Sequence, residues 1–293
     1  MSPFRLGIIT DEVSQSLGEA IGFAHRHGMK TLELRSIEGQ TIQAWSDEQV
    51  ESIRALMTQN HLSVCALSTP IFKCRLNQPE EVREHLSILQ RSIEIAKKLG
   101  APIIRGFSFW AEETFEKALP SIVEQIRGIA PMLEKENRIF ALEFDPGVYA
   151  SNARKVRIIL DAIQSPNVMA LYDPGNDLWD PDGEVPYPDG YEFLKGKICH
   201  IHLKDAVRTP DGVKGVAIGK GEVDYRGLLH RLMMDRYEGH LVVETHYRLQ
   251  AELSEAQLKR PAGYDFSEGG WAASEACVES LKQLIHETAS NNA

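Results

Sequence analysis

Three features of this 293-residue chain predict a (β/α)8 barrel, the TIM-barrel fold, over residues 1–293 as one domain. Short β-rich apolar runs recur eight times, segments of helical periodicity separate them, and the length suits a barrel that uses about 250 residues as a unit. The expected strands are "FRLGIIT" near 4–10, "TLELR" at 31–35, "LSVCALS" at 62–68, "PIIRGFS" at 102–108, "RIFALEF" at 138–144, "NVMALYD" at 167–173, "ICHIHLK" at 198–204 and "HLVVET" at 240–245. The first helices are "SLGEAIGFAHRHG" and "SDEQVESIRALMTQN", the second opening on Ser46 as an N-cap with acidic residues in its first turn. Gly28 and Gly100 stand where a C-terminal glycine belongs. Runs 78–99, 111–137, 151–164, a shorter one near 189–195, 224–236 and 268–287 supply the remaining helices. An open doubly wound sheet is the competing architecture, and no GxGxxG follows the first strand to support it. The least regular stretches, 174–192 and 206–223, both follow strands, where barrel loops carry function.

Composition narrows the function classes. A formal net charge of -10 excludes the basic surface that nucleic acids or anionic membranes need. No apolar run approaches the roughly 18 residues of a membrane span, and no signal peptide is visible. Cys65, Cys74, Cys199 and Cys277 are scattered without CxxC spacing and read as free thiols in a reducing compartment. A soluble cytoplasmic protein is the expectation.

Strand parity then locates the chemistry. Successive side chains alternate between faces, so one set packs under the helices and the other lines the barrel. On strand five Phe140 and Leu142 point outward and Ala141 and Glu143 inward. On strand six Leu171 and Asp173 point inward, on strand seven His200, His202 and Lys204, and on strand eight Val242 and Glu244. Four consecutive strands therefore bring Glu143, Asp173, His202 and Glu244 to one mouth. Three carboxylates so close repel one another unless a cation sits among them. One divalent metal ion resolves this; an ion-pair cluster using Arg35, Arg105 or Lys204 is the alternative. Mixed carboxylate and imidazole donors leave Mn, Mg, Co and Zn open.

The motifs "ITDEVSQ", "LELRS", "LSTPIFK", "ALEFDPG", "LYDPGN", "HIHLKDA" and "VVETHY" resemble the sugar phosphate isomerase/epimerase family of the xylose-isomerase-like TIM barrel superfamily, which also holds endonuclease IV-like enzymes. The resemblance runs from about residue 4 to residue 287. It implies that Glu143, Asp173, His202 and Glu244 are the ligands of one divalent metal ion. It also implies that Glu143 and Glu244 move the substrate proton, and that the protein is a homo-oligomer, a dimer or a tetramer. A metal that binds adjacent carbonyl and hydroxyl oxygens stabilises an enediolate, while carboxylates on either side remove and return a proton. Return to the opposite face is epimerisation, return to the neighbouring carbon is isomerisation, and loss of a β-hydroxyl is dehydration.

Further residues are candidates for contact with a sugar, keto-sugar or polyol substrate. Asn176 stands where some epimerase relatives carry a histidine, and it donates a hydrogen bond without shuttling a proton. Lys204 and Arg35 share inward parity with the donors, and Arg35 is also a candidate ion-pair partner of Glu33. Arg105 and Phe107 share parity on strand four; with Lys73, Phe72 and Trp110 they offer an apolar and cationic wall. His246 is placed to orient Glu244. His200 lies one layer deeper and reads as a core histidine. "GKGEVDY" at 219–225 reads as a turn feeding a helix capped by Asp224 rather than a phosphate loop.

The leading reading is thus a metal-dependent isomerase or epimerase, with a dehydratase of an inosose- or dehydroshikimate-like substrate as runner-up. An AP endonuclease needs further histidine ligands where strands two and three end in Arg35 and Thr69, and the acidic charge opposes it. A non-catalytic sugar-binding protein leaves the acidic ligand set without a purpose.

Overall fold

The computed structural model describes residues 3–180, 182–249 and 267–290. The expected 1–293 domain span includes residues outside these. Eight parallel strands form the barrel: β1 (Arg5–Ile8), β2 (Thr31–Leu34), β3 (Ser63–Ile71), β4 (Ile103–Gly106), β5 (Ile139–Glu143), β6 (Val168–Tyr172), β7 (Ile198–Leu203) and β8 (His240–Val243). Each pairs with its neighbour in sequence, β8 pairs with β1, and a parallel bridge between Ile9 and Glu33 closes the ring onto β2.

Between the strands run α1 (Leu17–Arg26), α2 (Asp47–Gln59), α3 (Pro79–Leu99), α4 (Phe115–Lys135), α5 (Ala153–Ile163), α6 (Tyr191–Leu194), α7 (Tyr225–Met234) and α8 (Gly270–Ser290). Local chemistry explains their ends. Ser46 and Gln49 make a reciprocal capping box at the start of α2. Helix α3 opens on Pro79 with Glu80 and Glu81 in its first turn, and ends with Lys97 and Lys98 before Gly100 at φ 71°. Asp224 caps α7 by accepting from the Gly227 N–H at 2.9 Å.

Parity holds in the packing of β5, β6 and β8. Ile9, Cys65, Ala66, Ile103, Ala141, Leu171 and Val242 form a buried cluster along the barrel axis. Phe140, Leu142, Val168, Ala170, Tyr172, Leu241 and Val243 belong instead to the larger core under the helices. All four cysteines are free.

Four local expectations are corrected. Residues 206–223 are irregular only in part: Asp205–Thr209 and Gly212–Val216 form an antiparallel hairpin, and 217–223 run as turns and bends. Its turn signal is the Pro210-Asp211-Gly212 run. Strand β3 runs past Ser68 to Ile71 through a register shift that accommodates Pro70. Helix α4 begins at Phe115 rather than 111, because Trp110 bridges Val148 and the Ala111 N–H donates to Gly147 O. The helix near 189–195 shrinks to Tyr191–Leu194, since Tyr187 in the turn before it is extended (φ −141°, ψ 134°).

Candidate metal centre

The ends of β5 to β8 place Glu143, Asp173, His202 and Glu244 together, with one donor atom from each within 4.8 Å of the others. All four are 0–2% exposed. Glu143 closes β5, Asp173 follows β6 directly, His202 lies one residue from the end of β7, and Glu244 follows β8.

Each carboxylate divides its oxygens between a support and the centre. Glu143 Oε2 accepts from Arg105 Nη1 at 2.7 Å, while Oε1 lies 3.5 Å from His202 Nδ1. Glu244 Oε1 accepts from Arg35 Nη1 at 2.9 Å, and Oε2 lies 3.6 Å from His202 Nδ1. Asp173 Oδ1 accepts from the Gly175 N–H at 3.0 Å. Lys204 Nζ spans Asp173 Oδ2 at 2.8 Å and Glu244 Oε2 at 3.0 Å. That approach needs Gly175, where a Cβ would stand 2.3 Å from Lys204 Cγ and 2.6 Å from Lys204 O.

The support extends well beyond the donors. Arg35 Nε reaches Asp11 at 2.9 Å and its Nη2 reaches Glu12 at 2.7 Å. The expected Arg35–Glu33 pair is therefore not formed. Glu33 turns into the barrel and meets imidazoles: His200 Nε2 at 2.6 Å from Oε2, and His202 Nε2 at 3.1 Å from both oxygens. His246 Nε2 lies 3.4 Å from both Glu244 Oε1 and Glu12 Oε1, beside Glu244 as its place in the sequence suggested. Asn176 Nδ2 donates to Phe144 O at 2.8 Å and to Glu143 Oε1 at 3.4 Å. On the β4 side, Lys73 Nζ pairs with Asp145 at 2.8 Å and lies 4.1 Å from the Phe107 ring centroid and 5.6 Å from that of Trp110. Arg105 lies over the other part of this wall, 4.8 Å from the Phe107 ring. Phe72 is fully buried against Phe109, 4.6 Å between centroids, and belongs to the core.

These contacts set the protonation pattern. Burial alone would raise the Glu143 carboxyl, but Arg105 and His202 hold it at about 2. Burial raises Asp173 to about 7, since Lys204 only partly offsets it and Glu244 and Glu143 add to it. Burial is overcome at Glu244, held well below the usual range by His246, Lys204 and His202. At His202 burial opposes charge, yet Glu33, Glu143 and Glu244 raise the imidazole well above its ordinary value. Without a metal the centre thus holds two ionised glutamates beside a charged imidazole.

The donor set fits a divalent ion. His202 Nδ1 is buried and without a hydrogen bond, and it faces two carboxylate oxygens. Six buried acids in this network (Asp11, Glu12, Glu33, Glu143, Asp173, Glu244) meet four buried cations (Arg35, Arg105, Lys204, Arg248). Without a metal the charged His202 imidazole offsets part of this excess, and a divalent ion bound there would take over that role. The ion-pair alternative is correct that Arg35, Arg105 and Lys204 each hold a donor carboxylate; in it a charged His202 stands between Glu143 and Glu244, in the place the ion would take.

Comparison with known proteins places the chain. The xylose isomerase-like TIM barrel family model matches residues 21–286. The protein belongs to that family. A curated relative from Escherichia coli (strain K12), provisionally named L-ribulose-5-phosphate 3-epimerase SgbU, is 24% identical over 211 residues, 68% of this chain and 72% of the relative. The D-psicose 3-epimerase of Clostridium cellulolyticum H10, solved with D-tagatose, superposes with TM-score 0.72 at 15% identity, covering 95% of this chain and 99% of that one. The provisionally assigned 3-DHS dehydratase AsbF of Bacillus anthracis superposes with TM-score 0.68 at 16% identity, covering 90% and 97%. Proteins similar to this chain thus carry the names of both epimerases and a dehydratase.

Sequence reasoning did not assign Asp11 and Glu12, the one-turn helix Thr10–Val13 after β1 that anchors Arg35. The signal was present, since acidic residues directly after a barrel strand belong to the mouth. Glu33 was seen, with the wrong partner.

Proposed function

We propose that the protein is a divalent-metal-dependent isomerase or epimerase of a small sugar, keto-sugar or polyol, working through an enediolate. The observation that carries this reading is the convergence of Glu143, Asp173, His202 and Glu244, with His202 Nδ1 open toward two carboxylates. Glu143, Asp173, His202 and Glu244 would hold the divalent ion, which would supply Lewis-acid stabilisation of negative charge on a substrate oxygen. Glu143 and Glu244 are the acid–base pair: the ionised one takes the proton α to the carbonyl, and the other carries the proton that is given back on the opposite face. Arg105 and Arg35 occupy the outer oxygens of those two glutamates and fix their aim. Lys204 steadies Asp173 and Glu244 and offers an ammonium beside developing negative charge. Asn176 reaches Glu143 and donates to a sugar oxygen. Phe107, Trp110, Lys73 and His246 line the approach for the substrate. In this reading the residues 1–293 act as one domain, and the donor types do not select among Mn, Mg, Co and Zn.

Dehydration through the same enediolate is the second reading, supported by the likeness to AsbF. Two measurements test the proposal. Metal analysis of wild type beside Glu143→Gln and His202→Ala should give about one divalent ion per chain, lost in both variants. A keto-sugar screen in D2O, followed by NMR, should give solvent deuterium at the carbon α to the carbonyl with carbon skeleton and oxygen count intact. Loss of water establishes the dehydratase instead. A wild type that takes up none of the four ions rules out both.

A further inference from the structure

Barrel interiors are normally filled by layers of branched apolar side chains. The layer beneath the donor cluster departs from this pattern. Glu33 from β2, Ser68 from β3 and His200 from β7 occupy it, at 0%, 2% and 0% exposure. A buried carboxylate is costly, and apolar side chains of similar volume commonly replace such groups without loss of stability. This layer therefore calls for a function that packing does not provide.

We propose that Glu33 is a positioning residue for the divalent-ion centre. It holds the His202 ring with hydrogen on Nε2, so that Nδ1 presents its lone pair where Glu143, Asp173 and Glu244 converge. An ionised carboxylate only accepts hydrogen bonds, so the His202 Nε2 at 3.1 Å from both Glu33 oxygens carries the hydrogen. The opposite nitrogen, Nδ1, is the buried one without a hydrogen bond, 3.5 Å from Glu143 and 3.6 Å from Glu244. Glu33 is itself immobilised. His200 Nε2 donates to Oε2 at 2.6 Å, and the Ser68 hydroxyl donates to Oε1. The order of support runs from His200 and Ser68 to Glu33, then to His202, then to the ion. A carboxylate behind a ligating imidazole also raises its basicity. The chain reaches across the barrel, since Glu33 and His202 are 169 residues apart in sequence. The competing role, pairing with Arg35, is already filled by Asp11, Glu12 and Glu244.

The proposal rests on the metal-dependent reading above, and the test separates the two. Zinc affinity is measured by chelator competition for wild type, Glu33→Gln and Glu33→Ala, and imidazole proton–nitrogen correlations are recorded on the zinc-loaded proteins. Glu33→Ala should bind zinc about 10–100-fold more weakly and lose the hydrogen-bonded His202 Nε2–H signal. Glu33→Gln, whose amide oxygen still accepts from Nε2–H, should retain the signal and fall between the two in affinity. Wild-type affinity in a folded Glu33→Ala protein overturns the role of Glu33 while leaving the metal centre intact. If Glu33→Ala does not fold, Glu33→Gln decides: wild-type affinity with an unshifted Nε2–H signal overturns the proposal. Absence of zinc binding by wild type defeats the metal centre itself.

Discussion

The two halves of the barrel mouth divide the work. Strands β5 to β8 each deliver one donor: Glu143, Asp173, His202 and Glu244. The β1 to β4 side delivers most of what holds them: Asp11 and Glu12 after β1, Glu33 from β2 and Arg35 just after it, Ser68 from β3 and Arg105 from β4, with Lys204 after β7 the main exception. Donors sit at fixed positions on their own strands, whereas the holding contacts run between strands, from neighbours such as Arg105 and Glu143 to Glu33 and His202 across the ring. The β1 to β4 half sets geometry and the β5 to β8 half supplies chemistry.

The largest expected effect lies on the donor side. Glu143→Gln removes a base while keeping its shape, and turnover should fall by about 10²–10⁴-fold, read from steady-state kinetics on the substrate found in the screen. A variant that retains more than a tenth of wild-type turnover breaks the division of labour at its centre. Next, Arg35→Ala leaves Asp11, Glu12 and Glu244 without their shared cation. A buried charge group stripped of its partner costs about 3–5 kcal/mol, measured by urea unfolding. Arg35→Lys should recover only part of this, because an ammonium cannot reproduce the fork onto three carboxylates. Arg105→Ala releases one carboxylate rather than three and should cost less stability than Arg35→Ala. The reverse order would show that the clamp at β2 is not the main one.

The smallest effect concerns the foot of β8. Burial, with His200 and Arg5 nearby, lowers the His240 imidazole from 6.5 to about 4. The folded chain then binds fewer protons than the unfolded chain between those values. Stability therefore falls as the pH drops from 6.5 toward 4. His240→Asn should flatten that part of the curve in thermal melts taken across the window, leaving the rest unchanged.

The same division explains what the sequence made legible. Parity needs only the strand itself, so the inward pointing of Ala141 and Glu143, or of Val242 and Glu244, follows from four or five consecutive residues. The eight strands and most helix ends were readable for the same local reason, as with the Ser46 cap and Gly100. Partner choice was not readable. Arg35 and Glu33 stand two residues apart at the end of β2 and look like a pair, yet Arg35 turns to the chain segment after β1 and Glu33 turns to β7, contacts set by barrel closure. The hairpin after Lys204 was missed although Pro210-Asp211-Gly212 announced it, because its strands carry no apolar alternation.

That hairpin has its own anchor. The Asp205 carboxylate accepts the backbone N–H groups of Ala206, Gly219, Gly221 and Val223, at 2.8–3.2 Å. The loop that closes behind the hairpin is thus tied to the first residue after Lys204, and its outer turn at Pro210-Asp211 hangs free of the knot. Residues spliced into that turn would lengthen the hairpin without tugging on β7, which makes it the natural graft point for a chain that needs a new appendage beside its mouth.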